Sequence, residues 1–291
     1  MRLVRGVTVI FLMAVNLCLW GIPVLLGGLV RVLFDRTRLR SRIVKVTAHI
    51  AERWVAGNNR IFRLMLPTQW DVEGVEEMKY DRHYLIVSNH ISWVDIFVLF
   101  RVFHGHAAFI RFFLKQILIW VPIAGQACWA LDFPFMKRHS AEYLAKHPEK
   151  RGADLETTRR ACRRYRDIPV AILNFIEGTR FTAEKQADQG SPFRHLLRPR
   201  IGGIAFVFAS LGDQLDAFLD VTLAYPGHDV RFWDFVTGAV PRIAVRVRRI
   251  PVPPEFCGAA VLQPGNSRAF KQWIEQIWTE KDALLDGMLG Q

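Results

Sequence analysis

From Gly6 to Val30 the chain runs for 25 residues without an Asp, Glu, Lys, Arg or His. Wound as an α-helix, such a run reaches roughly 37 Å, more than the roughly 30 Å of hydrocarbon in a bilayer. Any fold for this chain must place that segment in lipid or against its own core. Arg2 and Arg5 precede it, and Arg31, Arg36, Arg38, Arg40, Arg42 and Lys45 follow. A cleaved leader is shorter and ends at a small-residue site, which this sequence does not show, so the run reads as a retained membrane segment. Gly21 and Pro23 interrupt it. A single transmembrane span and a bent, re-entrant hairpin with both ends cytoplasmic both suit that pattern. Either way, the denser basic cluster on the C-terminal side predicts that the rest of the chain faces the cytoplasm, at the inner membrane in a bacterium.

In residues 39–66, Ile43, Val46, Ile50 and Trp54 recur at helical spacing, with Arg40, Arg42, Lys45 and Arg53 among them. This reads as an interfacial helix on anionic lipid, with an ordinary surface helix packed on the domain as the alternative. Pro67 ends it. The chain therefore divides into an N-terminal membrane anchor, 1–66 (hydrophobic 7–34, amphipathic 39–66), and a domain over 67–291. The net charge of +12 points to nucleic acid or an anionic membrane surface. The apolar N-terminus favours the membrane, and no nucleic-acid-binding motif is present. Cys18, Cys128, Cys162 and Cys257 are scattered without a CxxC, which fits a reducing compartment and gives no metal module.

Beyond Pro67, strand and helix patterns alternate. Tyr84–Val87, Val170–Phe175, Asp220–Tyr225 and the run at Ile243, Val245 and Val247 read as strands. Asp154–Arg166 and Ser267–Met288 read as amphipathic helices, the latter aligning Phe270, Trp273, Ile274, Ile277 and Trp278. Alternation of this kind predicts an α/β domain with a single mixed sheet flanked by helices. The charged stretch from Lys137 to Asp167 reads as a solvated excursion plus helix.

Two stretches at predicted strand ends carry chemistry. In SNHISWVDIF, His90 stands five residues ahead of Asp95, and Ser92 is placed to cap a new helix with Asp95 near the capping-box position. The carboxylate can then fix the imidazole tautomer and leave the other ring nitrogen to accept a proton. Alone, the pair is equally a capping Asp beside a structural His. In NFIEGTRF, Gly178 and Thr179 give a tight turn with exposed amides. Arg180 offers a planar fork for phosphate, and Glu177 can orient that guanidinium or the loop. A hairpin turn closed by a surface ion pair is the plainer reading. Arg111 and Lys115, four apart in FIRFFLK on one helical face, add positive charge, as do Arg138, Arg198 and Arg200.

Together these stretches resemble the glycerolipid acyltransferase family, typified by 1-acylglycerol-3-phosphate acyltransferase. The family's NHxSxxD block is matched in full by Asn89-His90-Ile91-Ser92-Trp93-Val94-Asp95. Its basic second block runs from Phe109 through Lys115, Pro122 and Gly125 to Arg138. Its PEGTR block appears as Ile176-Glu177-Gly178-Thr179-Arg180, with Ile176 in place of proline. The late hydrophobic block, Val221-Thr222-Leu223-Ala224-Tyr225-Pro226, departs from the commoner form and looks closer to the lysocardiolipin acyltransferase branch, as does LRPRIGG.

The resemblance implies acyl transfer from a thioester donor, acyl-CoA or acyl carrier protein, to the free hydroxyl of a lysophospholipid. No cofactor would be bound and no metal used. His90 would be the base and Asp95 its orienting partner, as in hydrolase triads. Lys115, Arg138, Glu177, Gly178, Thr179 and Arg180 would bind substrate. Ser92 as a nucleophile is a rival within the same enzyme class. A membrane lipid-binding or scaffold protein that has lost activity is the alternative outside it.

Overall fold

The computed structural model describes residues 1–34, 39–137 and 153–290. Among these, six strands form the main sheet in the order β1 (Gln69–Glu73), β8 (Arg242–Ile250), β7 (Leu215–Ala224), β2 (His83–Ser88), β6 (Ala171–Asn174) and β3 (Ile110–Phe112). All neighbouring pairs are parallel except β7 with β8, so the sheet is mixed, as the alternating pattern predicts. Strand β2 is central and wholly apolar in Tyr84–Val87, all four side chains fully buried, which is the composition a strand covered on both faces requires. A two-stranded ladder, β4 (Leu114–Lys115) with β5 (Phe135–Met136), stands beside the main sheet.

The segment FIRFFLK is therefore strand, not helix. Phe109, Ile110, Phe112 and Phe113 suit a pleated surface, and Arg111 and Lys115 lie on different strands of different sheets. Helix α3 (Val94–Phe103) follows β2 and packs one face of the sheet. The opposite face is covered by helices Ala153–Tyr165, Gly202–Leu211 and Pro264–Leu289. Phe208, Phe270 and Trp273 meet there edge to face. Most of the charged excursion from Lys137 lies outside the described residues, as do Arg36 and Arg38 of the basic flank.

The apolar run forms a continuous helix, α1 (Arg2–Leu33), which passes through Gly21 and Pro23 without breaking. It pairs antiparallel in sequence order with α2 (Leu39–Met65), the predicted amphipathic helix. Two faces of α1 differ sharply. Val7, Phe11, Val15, Leu19, Ile22 and Leu26 recur every three or four residues and are exposed, an unbroken apolar stripe. The other face is fastened to the protein along its whole length. Arg5 donates to the Thr237 carbonyl at 3.3 Å. Asn16 donates to the Trp54 carbonyl at 2.8 Å and to Asn58 Oδ1 at 3.1 Å. Near its end, Gly28 lies flat against Ala130 of α4 (Ala124–Ala130), and Arg31 pairs with buried Asp132. Arg40 and Arg164 reach the same carboxylate.

Candidate active site

Strands β2 and β6 run parallel with Val87 opposite Asn174. The segments that leave their carboxyl ends, Asn89–Trp93 and Phe175–Arg180, therefore emerge side by side. Strand β7 flanks β2 on the other side, also parallel, with Ser88 opposite Val221, and delivers Tyr225 to the same edge. This is the edge at which open α/β sheets hold ligands.

The His90 loop is held from three directions. Asn89 pairs its side-chain amide both ways with the backbone of Leu223, at 2.9 and 2.8 Å. The His90 amide donates to Glu177 Oε1 at 3.2 Å, and the His90 carbonyl accepts from the Phe181 amide at 2.7 Å. The imidazole stacks on Phe175, centroids 4.0 Å apart and 15° from parallel. The two motif stretches thus brace one another.

His90 Nδ1 lies 2.8 Å from Asp95 Oδ2. That oxygen also accepts the amides of Ile91 at 2.6 Å and Ser92 at 2.9 Å. An acceptor already serving two amides requires Nδ1 to carry the proton, which leaves Nε2 as the basic nitrogen. Asp95 is wholly buried, and Ser92 Oγ accepts from the Val94 amide at 3.3 Å. Only the Asp95 half of the anticipated capping box is present: the Ser92 amide donates to Asp95, whereas Ser92 Oγ accepts from Val94 and the helix begins one residue later, with Trp93 at its N-cap. Ser92 is buried at the helix start and does not line the cleft described below. The amides of Ile91 and Ser92 are spent on Asp95 and are not free to hold an oxyanion.

The second oxygen of Asp95 accepts from the Tyr225 hydroxyl at 2.6 Å. Burial, reinforced by Asp95, pushes this phenol well above its ordinary range, so it serves as a donor. In the sequence Tyr225 stands only within the late hydrophobic block, and nothing local marks its contact with the pair.

In the turn after β6, Gly178 has φ 72°, the left-handed conformation that favours glycine. That turn sends Glu177 inward and Arg180 outward. Glu177 is wholly buried beneath the loop, and burial pushes its carboxyl up to about 8. It clasps the His90 loop and is not seen orienting Arg180, whose guanidinium instead stacks over Trp93 at 5.5 Å. Lys185, absent from the sequence reading, donates to Thr179 Oγ1 and to the Arg180 carbonyl, both at 3.0 Å. The Arg200 side chain lies along Gly178.

A cleft of about 430 Å³ opens here. His90, Lys115, Gly178, Thr179 and Arg180 line it together with apolar side chains that include Ile96, Phe112 and Leu118. Not every residue anticipated for the site meets in it. Arg111 is buried elsewhere, donating Nε to the Leu131 carbonyl at 2.8 Å beside Tyr165. Arg198 donates to the carbonyls of Gln189 and Gly190. Arg138 lies outside the described residues. No group of three or more His, Cys, Asp or Glu suited to a metal occurs among the described residues.

Residues 69–248, from β1 almost to the end of β8 and including both motif stretches, match the Acyltransferase family model. The chain belongs to that family. Lysocardiolipin acyltransferase 1 of Danio rerio is 28% identical over 261 residues, covering 84% of this chain and 62% of that protein. The 1-acyl-sn-glycerol-3-phosphate acyltransferase gamma of Mus musculus is 26% identical over 215 residues, 69% of this chain and 52% of that protein. The chain thus spans between half and two thirds of the length of these curated relatives. Among solved structures, the 1-acyl-sn-glycerophosphate (LPA) acyltransferase PlsC of Thermotoga maritima shares the acyltransferase fold. The TM-score is 0.56 at 17% identity, over 96% of both chains.

Proposed function

We propose that this acyltransferase moves a fatty acyl group from a thioester, acyl-CoA or acyl carrier protein, to the free hydroxyl of a lysophospholipid. The observation that carries the reading is the His90–Asp95 pair, its basic Nε2 left for a cleft that joins cations to apolar walls. Nε2 takes the proton from the acceptor hydroxyl as that oxygen attacks the thioester carbonyl. The C–O bond forms, the C–S bond breaks, and the departing thiolate recovers the proton from the imidazolium. Asp95, held by two amides and Tyr225, keeps the ring in register and stabilises its charged form. Transfer of acyl groups by the named relatives supports this reading over a lipid-binding scaffold.

Arg180 is the residue we assign to the acceptor's phosphate, with Lys115 at the rim and Gly178 and Thr179 shaping the turn. The Arg180 guanidinium sits over the Trp93 ring, 5.5 Å from the centroid, and the residue lines the cleft, where its forked donors suit a bidentate anion. Arg180→Lys should raise the acceptor KM roughly tenfold to a hundredfold, since charge-assisted hydrogen bonds are worth about 1.5–3 kcal/mol each. Steady-state kinetics with both substrates varied tests the assignment. A rise in donor KM with the acceptor spared would transfer Arg180 to the donor.

Residues 1–66 are proposed as the membrane-attaching part and 67–291 as the catalytic domain, facing the cytoplasm where activated acyl donors are made. One stripe of α1 is apolar and exposed and its other face is packed on the protein, which supports α1 lying in one leaflet rather than crossing. Labelling of a C-terminal cysteine from outside intact cells would contradict the orientation.

A further inference from the structure

We propose that the turn Gln116–Gly125 is a second membrane-contacting element, which sets Trp120 into an anionic phospholipid bilayer at the cleft mouth so that the acceptor enters from the membrane plane. This rests on the lipid-acceptor reading above. Ile117 is 68% exposed, Trp120 76% and Val121 43%. Single exposed apolar residues are ordinary, but three within five positions beside a substrate cleft form a patch. Ile117 and Leu118 also line the cleft, so patch and cleft share a wall.

The turn is braced rather than slack. The Val121 amide donates to the Leu118 carbonyl at 3.2 Å, the Gly125 amide to the Val121 carbonyl at 2.9 Å, and Gln126 Nε2 to the Ile119 carbonyl at 2.7 Å. A Cβ at Gly125 would stand 2.1 Å from the Leu118 oxygen, so only glycine lets the chain fold back this closely. Ile123 adopts φ 62°, a strained conformation for a β-branched residue. Its Cγ2 presses on Gly21 of α1, 2.5 Å from where a Cβ there would be. Strain of this kind persists only where the surroundings enforce it. Here it ties the apolar turn to the helix whose outer stripe is the proposed lipid face.

The occupant follows from chemistry. Trp has an apolar body and a polar edge, and is favoured at membrane–water interfaces. Exposed Lys115 immediately precedes the turn, and the chain carries +12, which suits anionic headgroups. A second copy of the chain seated on this patch would close the mouth through which the acceptor must pass.

The test uses the full-length protein and phosphatidylcholine vesicles containing phosphatidylglycerol, with and without brominated acyl chains. Brominated lipid should quench a component of tryptophan fluorescence that is missing in Trp120→Phe. Trp120→Asp should raise the KM for vesicle-embedded lysophospholipid by roughly tenfold, as one large side chain loses its burial. Turnover of a monodisperse, short-chain lysophospholipid should stay at the wild-type level. Equal quenching in wild type and Trp120→Phe overturns the proposal. So does loss of activity toward both acceptors in a Trp120→Asp protein that melts normally, or a Trp120-dependent change of oligomeric state without quenching. Should no acyl transfer occur in the wild type, the kinetic arm fails with the acyltransferase reading, while the quenching arm still decides the contact.

Discussion

Replacing Glu177 by Gln should stabilise the protein by an amount that grows with pH. The native carboxyl is fully buried and pushed from 4.5 up to about 8, chiefly by burial. The folded state therefore keeps a proton that the unfolded state has released above pH 4.5. Stability attributable to this group is complete below 4.5 and lost as pH rises through 8. At 1.36 kcal/mol per pKa unit the penalty is under about 1 kcal/mol at pH 5, about 3 kcal/mol at pH 7 and about 5 kcal/mol above pH 8. Gln is never charged, and its carbonyl still accepts from the His90 amide. Its NH2 group takes the place of Oε2, which makes no close hydrogen bond and has only the Leu197 backbone amide near the carboxyl. The variant therefore escapes the penalty while keeping the clasp. Melting of detergent-solubilised protein between pH 5 and pH 9 measures it. The two proteins should melt together near pH 5, and Glu177→Gln should melt roughly 6–10 °C higher near pH 7. Parallel melting curves across that range would refute the argument. They would show the carboxylate ionised inside the fold, its charge met by Lys281.

His90→Ala should abolish acyl transfer without lowering the melting temperature, and Asp95→Asn should reduce kcat on the order of a thousandfold; steady-state assays with a thiol reporter check both. Tyr225→Phe removes one donor from Asp95 without changing the packing, so kcat should fall by about tenfold or more. An unchanged kcat in Tyr225→Phe would leave Tyr225 a packing residue. Lys281 is wholly buried on Asp220 at 2.7 Å, so Lys281→Met should cost about 3 kcal/mol in denaturant melts. Part of that should return in the Lys281→Met, Asp220→Asn double variant.

The long apolar strands and helices were legible because their patterns are local. Tyr84–Val87 reads as a buried strand from composition alone, and Ser267–Met288 as a helix from its repeating apolar positions. The short strands were not. Ile110–Phe112 and Leu114–Lys115 are three and two residues long, and the spacing of Arg111 and Lys115 imitated a helix face. The His90–Asp95 contact was readable because only five positions separate the two, across the short loop that enters α3. The Tyr225–Asp95 bond joins residues 130 apart, and only the register of β7 on β2 brings them together. Glu177 illustrates another limit. A carboxylate three residues from an arginine suggests an ion pair, but the left-handed Gly178 between them sends the two side chains in opposite directions.

The fastening of α1 also orders events during synthesis. This helix leaves the ribosome before the segments it packs against: Asn58, Ala130 and Asp132 follow it, and Thr237, the partner of Arg5, comes 232 residues after that arginine. Asn16 meets Asn58 only 42 residues further on and Arg31 meets Asp132 only after 101, whereas the outer apolar stripe is complete once α1 is made. A bilayer surface can hold the stripe and leave the polar face turned toward water. If α1 attaches to lipid as proposed, the sheet would assemble upon a helix already held at the membrane. The enzyme would then have its address before it has its catalytic cleft.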